Sequence, residues 1–251
     1  GAAGNSADGM MRDNLRQDNV LPMSEPYTAL PNFNHVGGGG GEVVDAAIYE
    51  LDGAHSAVDW VLVELRDAAN PANILATRSA LLLRNGHVVD VDGVSDVGFP
   101  DIEEGTYYVA IRHRNHLGVM TAGTVQLNAD YSQVIDFRDP NTPTYGENAQ
   151  KDMNGSRALW GGNAGGTNSI NFQGANNAPN ITFFEVLLSD QNTTSQATYI
   201  VEGYNMGDTD MNCESIYQGP FNDTSPAFFN VLTHPENFNY LTNYSIIEQL
   251  P

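Results

Sequence analysis

The stretch "AVDWVLVELRD" (residues 57–67) decides the fold, because it has the composition and period of a β-strand. Large and β-branched side chains recur with the two-residue repeat of extended chain. One face of this strand is expected to carry Val58, Trp60 and Leu62, and the other Asp59, Val61 and Val63. The stretch therefore predicts a strand within a β-rich domain.

Further strand patterns follow along the chain. "SALLLRNGHVVDVDG" (79–93) contains two strands around Asn85-Gly86, a hairpin signal because both turn positions favour positive φ. More strands are predicted in "GTYYVAIRHRN" (105–115), "TAGTVQLN" (121–128) and "YSQVIDFRD" (131–139). Short strands at a spacing of roughly 8–12 residues predict a mainly β fold, an immunoglobulin- or transthyretin-like β-sandwich over residues 42–138.

Residues 1–41 have the character of an extended N-terminal arm. Three prolines within 22–31 favour extended chain, and the glycine run 37–41 is typical of a hinge. The arm is too apolar to remain in water, so it either packs on its own domain or docks on a neighbouring molecule. The residues predicted to make that contact are Val20, Leu21, Met23, Tyr27, Leu30 and Phe33.

The C-terminal part contains an internal duplication. Residues 139–156 are a linker by composition, and residues 157–251 hold two units, 163–207 and 208–251. A shift of 208 − 163 = 45 positions carries "FQG" (172–174) onto "YQG" (217–219) and "FFEVL" (183–187) onto "FFNVL" (228–232). Each unit is predicted to be a polar loop, a short helix and an extended tail, and the two helices should pack together.

The loop of the second unit has the oxygen spacing of a Ca²⁺ site. Its predicted ligands are Asp208, Asp210, Asn212, Glu214 and Asp223. Oxygen atoms at alternate positions can surround one Ca²⁺, with a later carboxylate completing the shell. Cys213 stands where such loops normally have glycine, and the alternative is a turn that is merely rich in Asp and Asn. The first loop has no carboxylate at the equivalent positions, so it is predicted to be metal-free.

The chain is acidic, with 31 Asp and Glu residues against 10 Lys and Arg and a formal net charge of −21. Such a field repels nucleic acid and anionic membranes. No apolar run is long enough for membrane insertion. A polar surface with few charges predicts an extracellular or cell-surface location. The sequons at Asn154 and Asn192 are the candidate glycosylation sites, because their loops are expected to be the more accessible ones.

One run has the composition of an active site. In "IRHRNHLG" (111–118), a strand would place Arg112, Arg114 and His116 on one face and His113 and Asn115 on the other. The favoured interpretation is an ordinary strand whose cations pair with nearby acids such as Glu103, Glu104 or Asp90. No nucleophile elbow, zinc-protease motif or phosphate-binding loop is present, so we predict no catalytic residue and a protein that is not an enzyme.

The duplicated loop–helix resembles the dockerin type I module, a paired Ca²⁺-binding element that docks onto cohesin in cellulosomes. The chain as a whole is similar to secreted Bacteroidota surface proteins of the haemagglutinin or adhesin type. The stretches that carry this similarity are "SEPYTALPNFNHVGGGGGE", "VDWVLVELRDAANPANILATRSALLLRNGHVVDVDG", "RHRNHLGVMT", "YGENAQKD" and "ALWGGN". The resemblance implies a surface location and a dockerin-like end, and it implies no reaction.

Three functions are compatible with these observations. The first is a structural subunit that polymerises with other copies of itself, head to tail, into a fibre or pilus-like filament through the arm. The second is a cell-surface adhesin, or a module that binds a cohesin-like partner or a glycan. The third is the non-catalytic part of a secreted hydrolase.

Overall fold

The central sheet is built around the strand predicted at residues 57–67. The computed structural model describes residues 9–129 and 133–251, and within them this sheet has six antiparallel strands. In chain order they are β1 (Ala57–Asp67), β2 (Ile74–Leu83), β3 (Val88–Val89), β4 (Gly105–His113), β5 (His116–Met120) and β6 (Val125–Leu127). Their spatial order is β3-β2-β1-β4-β5, and β6 also pairs with β4. The prediction of a β-rich fold is confirmed.

The sandwich is not confirmed, because the described strands of this region join one sheet rather than two facing sheets. Trp60 on one face of β1 packs against the N-terminal arm. Val61 on the other face packs under segments that include Phe99 and Ile135. The last predicted strand, 131–139, forms no strand over residues 133–139, and its first two residues lie outside the described ranges.

The N-terminal arm covers one face of the sheet of its own chain. It contains helix α1 (Asn14–Gln17) and a 3₁₀ turn at Tyr27–Ala29. The Tyr27 hydroxyl donates a hydrogen bond of 2.8 Å to the Trp60 backbone oxygen, and the Trp60 indole donates one of 3.0 Å to the Pro22 oxygen. Helix α2 (Ala46–Tyr49) and a 3₁₀ turn at Gly53–His55 lead from the arm into β1. No helix in the described ranges is long and apolar enough to span a membrane.

The glycine run 37–41 is a folded segment and not the hinge that its composition predicted. Four of its five residues have positive φ, from +62° to +100°. The chain just before it pairs with β2, because the Thr77 amide donates to the Val36 oxygen at 2.9 Å. A Cβ on Gly39 would lie 2.1 Å from the Thr77 oxygen. Glycine is needed here because the backbone of the arm passes so close to the strand.

Residues 139–156, predicted as a linker, are also tied to the sheet. The Tyr145 amide donates to the Met120 oxygen at 2.9 Å, at the end of β5. The segment then enters a short ribbon of β7 (Lys151–Asp152) and β8 (Arg157–Ala158). These contacts hold the start of the duplicated part against the sheet.

The duplication is present in three dimensions, and its two units exchange strands. The first unit consists of β9 (Ser169–Asn171), α3 (Ala178–Leu188) and β10 (Ile200–Glu202). The second consists of β11 (Glu214–Ile216), α4 (Thr224–Thr233) and β12 (Ser245–Ile247). β9 pairs with β12, and β10 pairs with β11, so every strand has its partner in the other unit.

Equivalent side chains make equivalent contacts in the two units. The rings of Phe172 and Phe228 are 4.8 Å apart, and those of Phe183 and Tyr217 are 4.9 Å apart. Phe172 is equivalent to Tyr217 by the shift of 45 residues, and Phe183 is equivalent to Phe228. The second pair is therefore the first pair with the two units exchanged. Helices α3 and α4 also contact each other, as the repeat predicted. The units are therefore related by an approximate twofold axis.

Candidate metal centre

The loop of the second unit is organised by the carboxylate of Asp208. Its two oxygens accept hydrogen bonds of 3.0 Å from the backbone amides of Asn212 and Cys213. The Asn212 side-chain oxygen accepts in turn from the Glu214 amide at 2.9 Å. Met211 and Cys213 have positive φ, +61° and +77°, because the chain must turn sharply around the carboxylate.

Asp223 closes the loop from its far end. One of its carboxylate oxygens accepts from the Thr209 amide at 2.7 Å, and the other accepts from the Ile216 amide at 2.8 Å. Asp223 directly precedes α4, so the loop returns to its own beginning at the start of this helix. This brings Asp223, the last predicted ligand, to the residue that follows the first predicted ligand, Asp208, across 14 residues of sequence.

Three carboxylates converge in this loop. Asp208, Asp210 and Asp223 each offer an oxygen, and these oxygens all lie within 4.8 Å of one another. Asp208 and Asp223 are fully buried, and the Oδ1 atom of Asp210 is buried with no hydrogen-bond partner. A buried acceptor without a donor is costly, so this atom is suited to a cation.

The other two predicted ligands are placed less directly. Asn212 lies in the loop, but its side-chain oxygen already receives the Glu214 amide. Glu214 is the first residue of β11, and its carboxylate does not belong to the converging group. The residues brought together are therefore Asp208, Asp210 and Asp223.

Burial and mutual repulsion make these carboxylates hard to ionise. Burial raises the pKa of Asp208 to about 7, although the Arg114 cation and the Asn212 and Cys213 amides oppose the rise. Burial raises the pKa of Asp223 to about 8, and the negative charges of Asp208 and Asp210 add to the effect. The pKa of Asp210 is also raised, mainly by burial. The group therefore needs either protons or a cation to offset its charge.

The first loop closes without carboxylates. Asn163, the equivalent of Asp208, accepts from the Thr167 amide at 3.1 Å, and its own side-chain amide donates to the Thr167 oxygen at 2.5 Å. A neutral amide can supply both a donor and an acceptor, so this loop holds its turn internally. This geometry agrees with the prediction of a metal-free first loop, which stays a prediction.

A second cluster, which the sequence did not predict, consists of Glu25, His35 and Glu42. A ligand atom from each of these residues also lies within 4.8 Å of the others. Their oxygens are occupied, since Glu25 accepts from Tyr27 and Thr28 amides and Glu42 accepts from the Gly40 and Ser79 amides. Burial acts to raise the pKa of Glu25, but these and neighbouring hydrogen bonds lower it overall. The cluster fastens the arm and has no local sequence signal.

Residues 113–116 of the "IRHRNH" run are buried where β4 turns into β5. The side chains of this run do not use the predicted partners Glu103, Glu104 and Asp90. Nε of Arg114 and Nε2 of His113 each lie 3.1 Å from the Asp59 carboxylate, and Arg112 lies 3.6 Å from Glu64. The Tyr204 hydroxyl donates to the same carboxylate at 2.7 Å. Burial acts to raise the pKa of Asp59, but the Arg114 charge and the hydrogen bond to His113 hold it far below its ordinary value. Burial also holds the pKa of His116 well below its ordinary value, so that this ring is neutral.

The predicted assembly residues lie mostly in the interior of their own chain. Leu21, Tyr27 and Phe33 are buried in one cluster with Trp60, and Val20 and Leu30 are partly buried against it. Met23 alone among the six is substantially exposed, at 38%. The alternative that the arm packs on its own domain is the one found, so these residues are not a free docking surface.

The two candidate glycosylation sites differ in accessibility. Asn154 is exposed in the turn between β7 and β8. Asn192 is only 3% exposed, contrary to the prediction, and its side-chain nitrogen donates to the Val186 and Gln196 oxygens. A glycan on Asn192 would require these hydrogen bonds to break.

Comparison of the chain with protein-family models, curated proteins and solved structures gave no significant match.

Proposed function

We propose that the protein is an extracellular, non-enzymatic binding module whose duplicated end is dockerin-like and is stabilised by one Ca²⁺. The observation that carries the proposal is the convergence of Asp208, Asp210 and Asp223, two of them fully buried, together with the buried Oδ1 atom of Asp210, which has no hydrogen-bond partner. A cation at this point would replace the protons that the raised pKa values otherwise require.

The donor set favours Ca²⁺ over other metals. All three groups are carboxylates, and oxygen-only sites select hard cations. Mg²⁺ demands near-ideal octahedral geometry and gives up its water reluctantly, whereas Ca²⁺ accepts an irregular set of oxygens such as this loop offers. The three carboxylate oxygens lie within 4.8 Å of one another, close enough to bind one ion. Calcium is also abundant in extracellular fluid, where sites of modest affinity are occupied.

The exposed faces of the two helices supply a surface for a partner. Phe184 on α3 and Phe229 on α4 are 53% and 58% exposed, and a shift of 45 residues relates them. Each ring contacts its neighbour, Phe183 or Phe228, which in turn contacts a ring of the other unit. Exposed aromatic side chains are typical anchors of protein interfaces.

Charge defines the chemistry of that partner. From residue 158 to residue 251 the sequence has no lysine or arginine and nine aspartates and glutamates. A partner that covers this surface should therefore present basic side chains around an apolar patch. We propose a cohesin-like protein with such a surface, and glycan binding is the alternative that the experiment must separate.

The filament hypothesis has less support than the binding module. Polymerisation through the arm would require Tyr27 and Phe33 to leave the core of their own chain. Each fully buried aromatic side chain contributes several kcal/mol to folding, so release of the arm would destabilise the sheet.

The calcium proposal is tested by titration calorimetry and thermal unfolding with Ca²⁺, Mg²⁺ or EDTA. We expect one Ca²⁺ per chain, a higher melting temperature with Ca²⁺ than with Mg²⁺, and loss of both effects in Asp208→Asn. Asp190→Asn is the matched control, because it removes an exposed charge from the same part of the chain. Equal behaviour in Ca²⁺ and EDTA would contradict the proposal.

The partner proposal is tested by binding the protein to a panel of cohesins and to a glycan array, with and without Ca²⁺. We expect 1:1 binding to a basic cohesin that is lost on chelation and in Phe184→Ser/Phe229→Ser. Phe238→Ser, which replaces an exposed phenylalanine away from the helices, is the control. Binding to glycans alone would replace the protein partner by a carbohydrate.

A further inference from the structure

Asn115 contacts the first residue of both duplicated loops. It belongs to the turn between β4 and β5 and is completely buried. Its side-chain amide donates a hydrogen bond of 2.6 Å to the backbone oxygen of Asp208. Its backbone oxygen accepts one of 2.9 Å from the amide of Asn163. Because Asn163 and Asp208 are equivalent under the 45-residue shift, one residue of the sheet fixes the same point of each loop.

The orientation of the Asn115 side chain is itself fixed. His116 Nδ1 lies 2.8 Å from Asn115 Oδ1, and since a carbonyl oxygen only accepts, this ring nitrogen carries the hydrogen. The Asn115 amide group is thereby directed towards Asp208. His113 donates through Nε2 to Asp59, so its Nδ1 is an acceptor, and it receives the Asn115 backbone amide at 3.5 Å. A continuous set of hydrogen bonds thus leads from β1 to the start of the second loop.

We infer that Asn115 is a positioning residue for the cation site, acting through the backbone of Asp208. The inference rests on the proposed calcium function and adds a residue from outside the loop. Asp208 places its carboxylate correctly only while its backbone is held, because the same carboxylate must also receive the Asn212 and Cys213 amides. The sheet therefore sets the geometry of a loop that is 93 residues away in sequence.

The first test compares Asn115→Ala with Asn237→Ala by calorimetric Ca²⁺ titration. Asn237 is a buried asparagine of the second unit whose side chain donates to the Val231 and Leu241 oxygens and not to the loop. Both variants lose buried hydrogen bonds and should be less stable. We expect Ca²⁺ binding to weaken about tenfold in Asn115→Ala, as for one buried hydrogen bond, and less than about twofold in Asn237→Ala. Equal affinities in the two variants would contradict the positioning role.

A second measurement needs no metal. Hydrogen exchange in EDTA follows the Asn212 and Cys213 amides, which bond to the Asp208 carboxylate. We expect these two amides to exchange at least about tenfold faster in Asn115→Ala than in the wild type or Asn237→Ala. Unchanged protection would overturn the positioning role. Failure of the wild type to bind Ca²⁺, with this protection difference intact, would overturn only the calcium proposal.

Discussion

Asp208 and Asp223 make the stability of the protein depend on pH in an unusual direction. The folded state raises the pKa of these carboxyls to about 7 and about 8, whereas unfolded aspartates titrate near pH 4. Between about pH 4 and pH 8 these two carboxyls therefore hold more protons in the folded metal-free protein than in the unfolded chain. Their contribution to the free energy of unfolding must fall as the pH rises through that range.

We expect the melting temperature in EDTA to be several degrees lower at pH 8.5 than at pH 5.5. Each kcal/mol changes the melting temperature of a protein of 150–250 residues by roughly 2–4 °C. Ca²⁺ competes with the protons, so its affinity should increase over the same range. Circular dichroism at the two pH values measures the effect, and Asp208→Asn/Asp223→Asn should flatten it. A melting temperature that rises with pH in EDTA would contradict the assignment.

Individual site residues were predictable from sequence only where the spacing of oxygens decides their position. Three of the predicted ligands, Asp208, Asp210 and Asp223, have oxygens that converge. Glu214 is not among them, and its residue begins β11, where it pairs with Glu202 of the first unit. Asn115 had no detectable signal, since its role depends on contacts across 93 residues.

At the scale of elements, the glycine run 37–41 shows how composition and structure can diverge. Glycine can adopt backbone conformations that other residues avoid. A run of five glycines therefore occurs both in flexible hinges and in tight turns. The proximity of β2 decides between these alternatives. A Cβ on Gly39 would meet the Thr77 oxygen and Oγ1, whereas a Cβ on Gly41 would meet no atom within 4 Å.

We expect Gly39→Ala to lower the free energy of unfolding by about 2–3 kcal/mol through this steric clash. Gly41→Ala should cost about 1 kcal/mol, because its φ of +81° is unfavourable for a side chain but its surroundings are open. Urea unfolding of the two variants measures the difference. A flexible hinge would tolerate both substitutions equally, and that result would contradict the packed segment.

The duplication was predictable from sequence, but the pairing of its strands was not. A constant offset identifies equivalent residues, and it contains no information on whether a strand pairs within its unit or with the other unit. The pairing of β9 with β12 and of β10 with β11 occurs together with the ring contacts Phe172–Phe228 and Phe183–Tyr217, which also join the two units.

At the scale of the whole molecule, the arm and the duplicated units both complete the core of the sheet. Trp60 and Leu62 are buried by Leu21, Tyr27 and Phe33 from the N-terminal side. Met211 and Cys213, from the second loop, belong to the same cluster. The sequence predicted the strands, because their period is local. It did not predict one sheet covered by an arm, because alternating apolar residues specify a buried face and not what buries it.

We expect Phe33→Ala to reduce the free energy of unfolding by about 3–5 kcal/mol, because it leaves a cavity in this cluster and removes the ring over which Arg112 lies. Met23→Ala should have an effect below about 1 kcal/mol, since its side chain is exposed. Urea unfolding and light scattering after size-exclusion chromatography measure stability and mass together. If the wild type formed filaments and Phe33→Ala abolished them without loss of stability, the head-to-tail hypothesis would be restored.

The exchange of strands between the two units has a consequence for their origin. A polypeptide that carried only one unit would have partners for its two strands only in a second, identical molecule. The arrangement is therefore the one expected if two identical subunits of a homodimer were joined into a single polypeptide. The two copies now hold the same turn with different side chains, the Asp208 carboxylate in one and the Asn163 amide in the other.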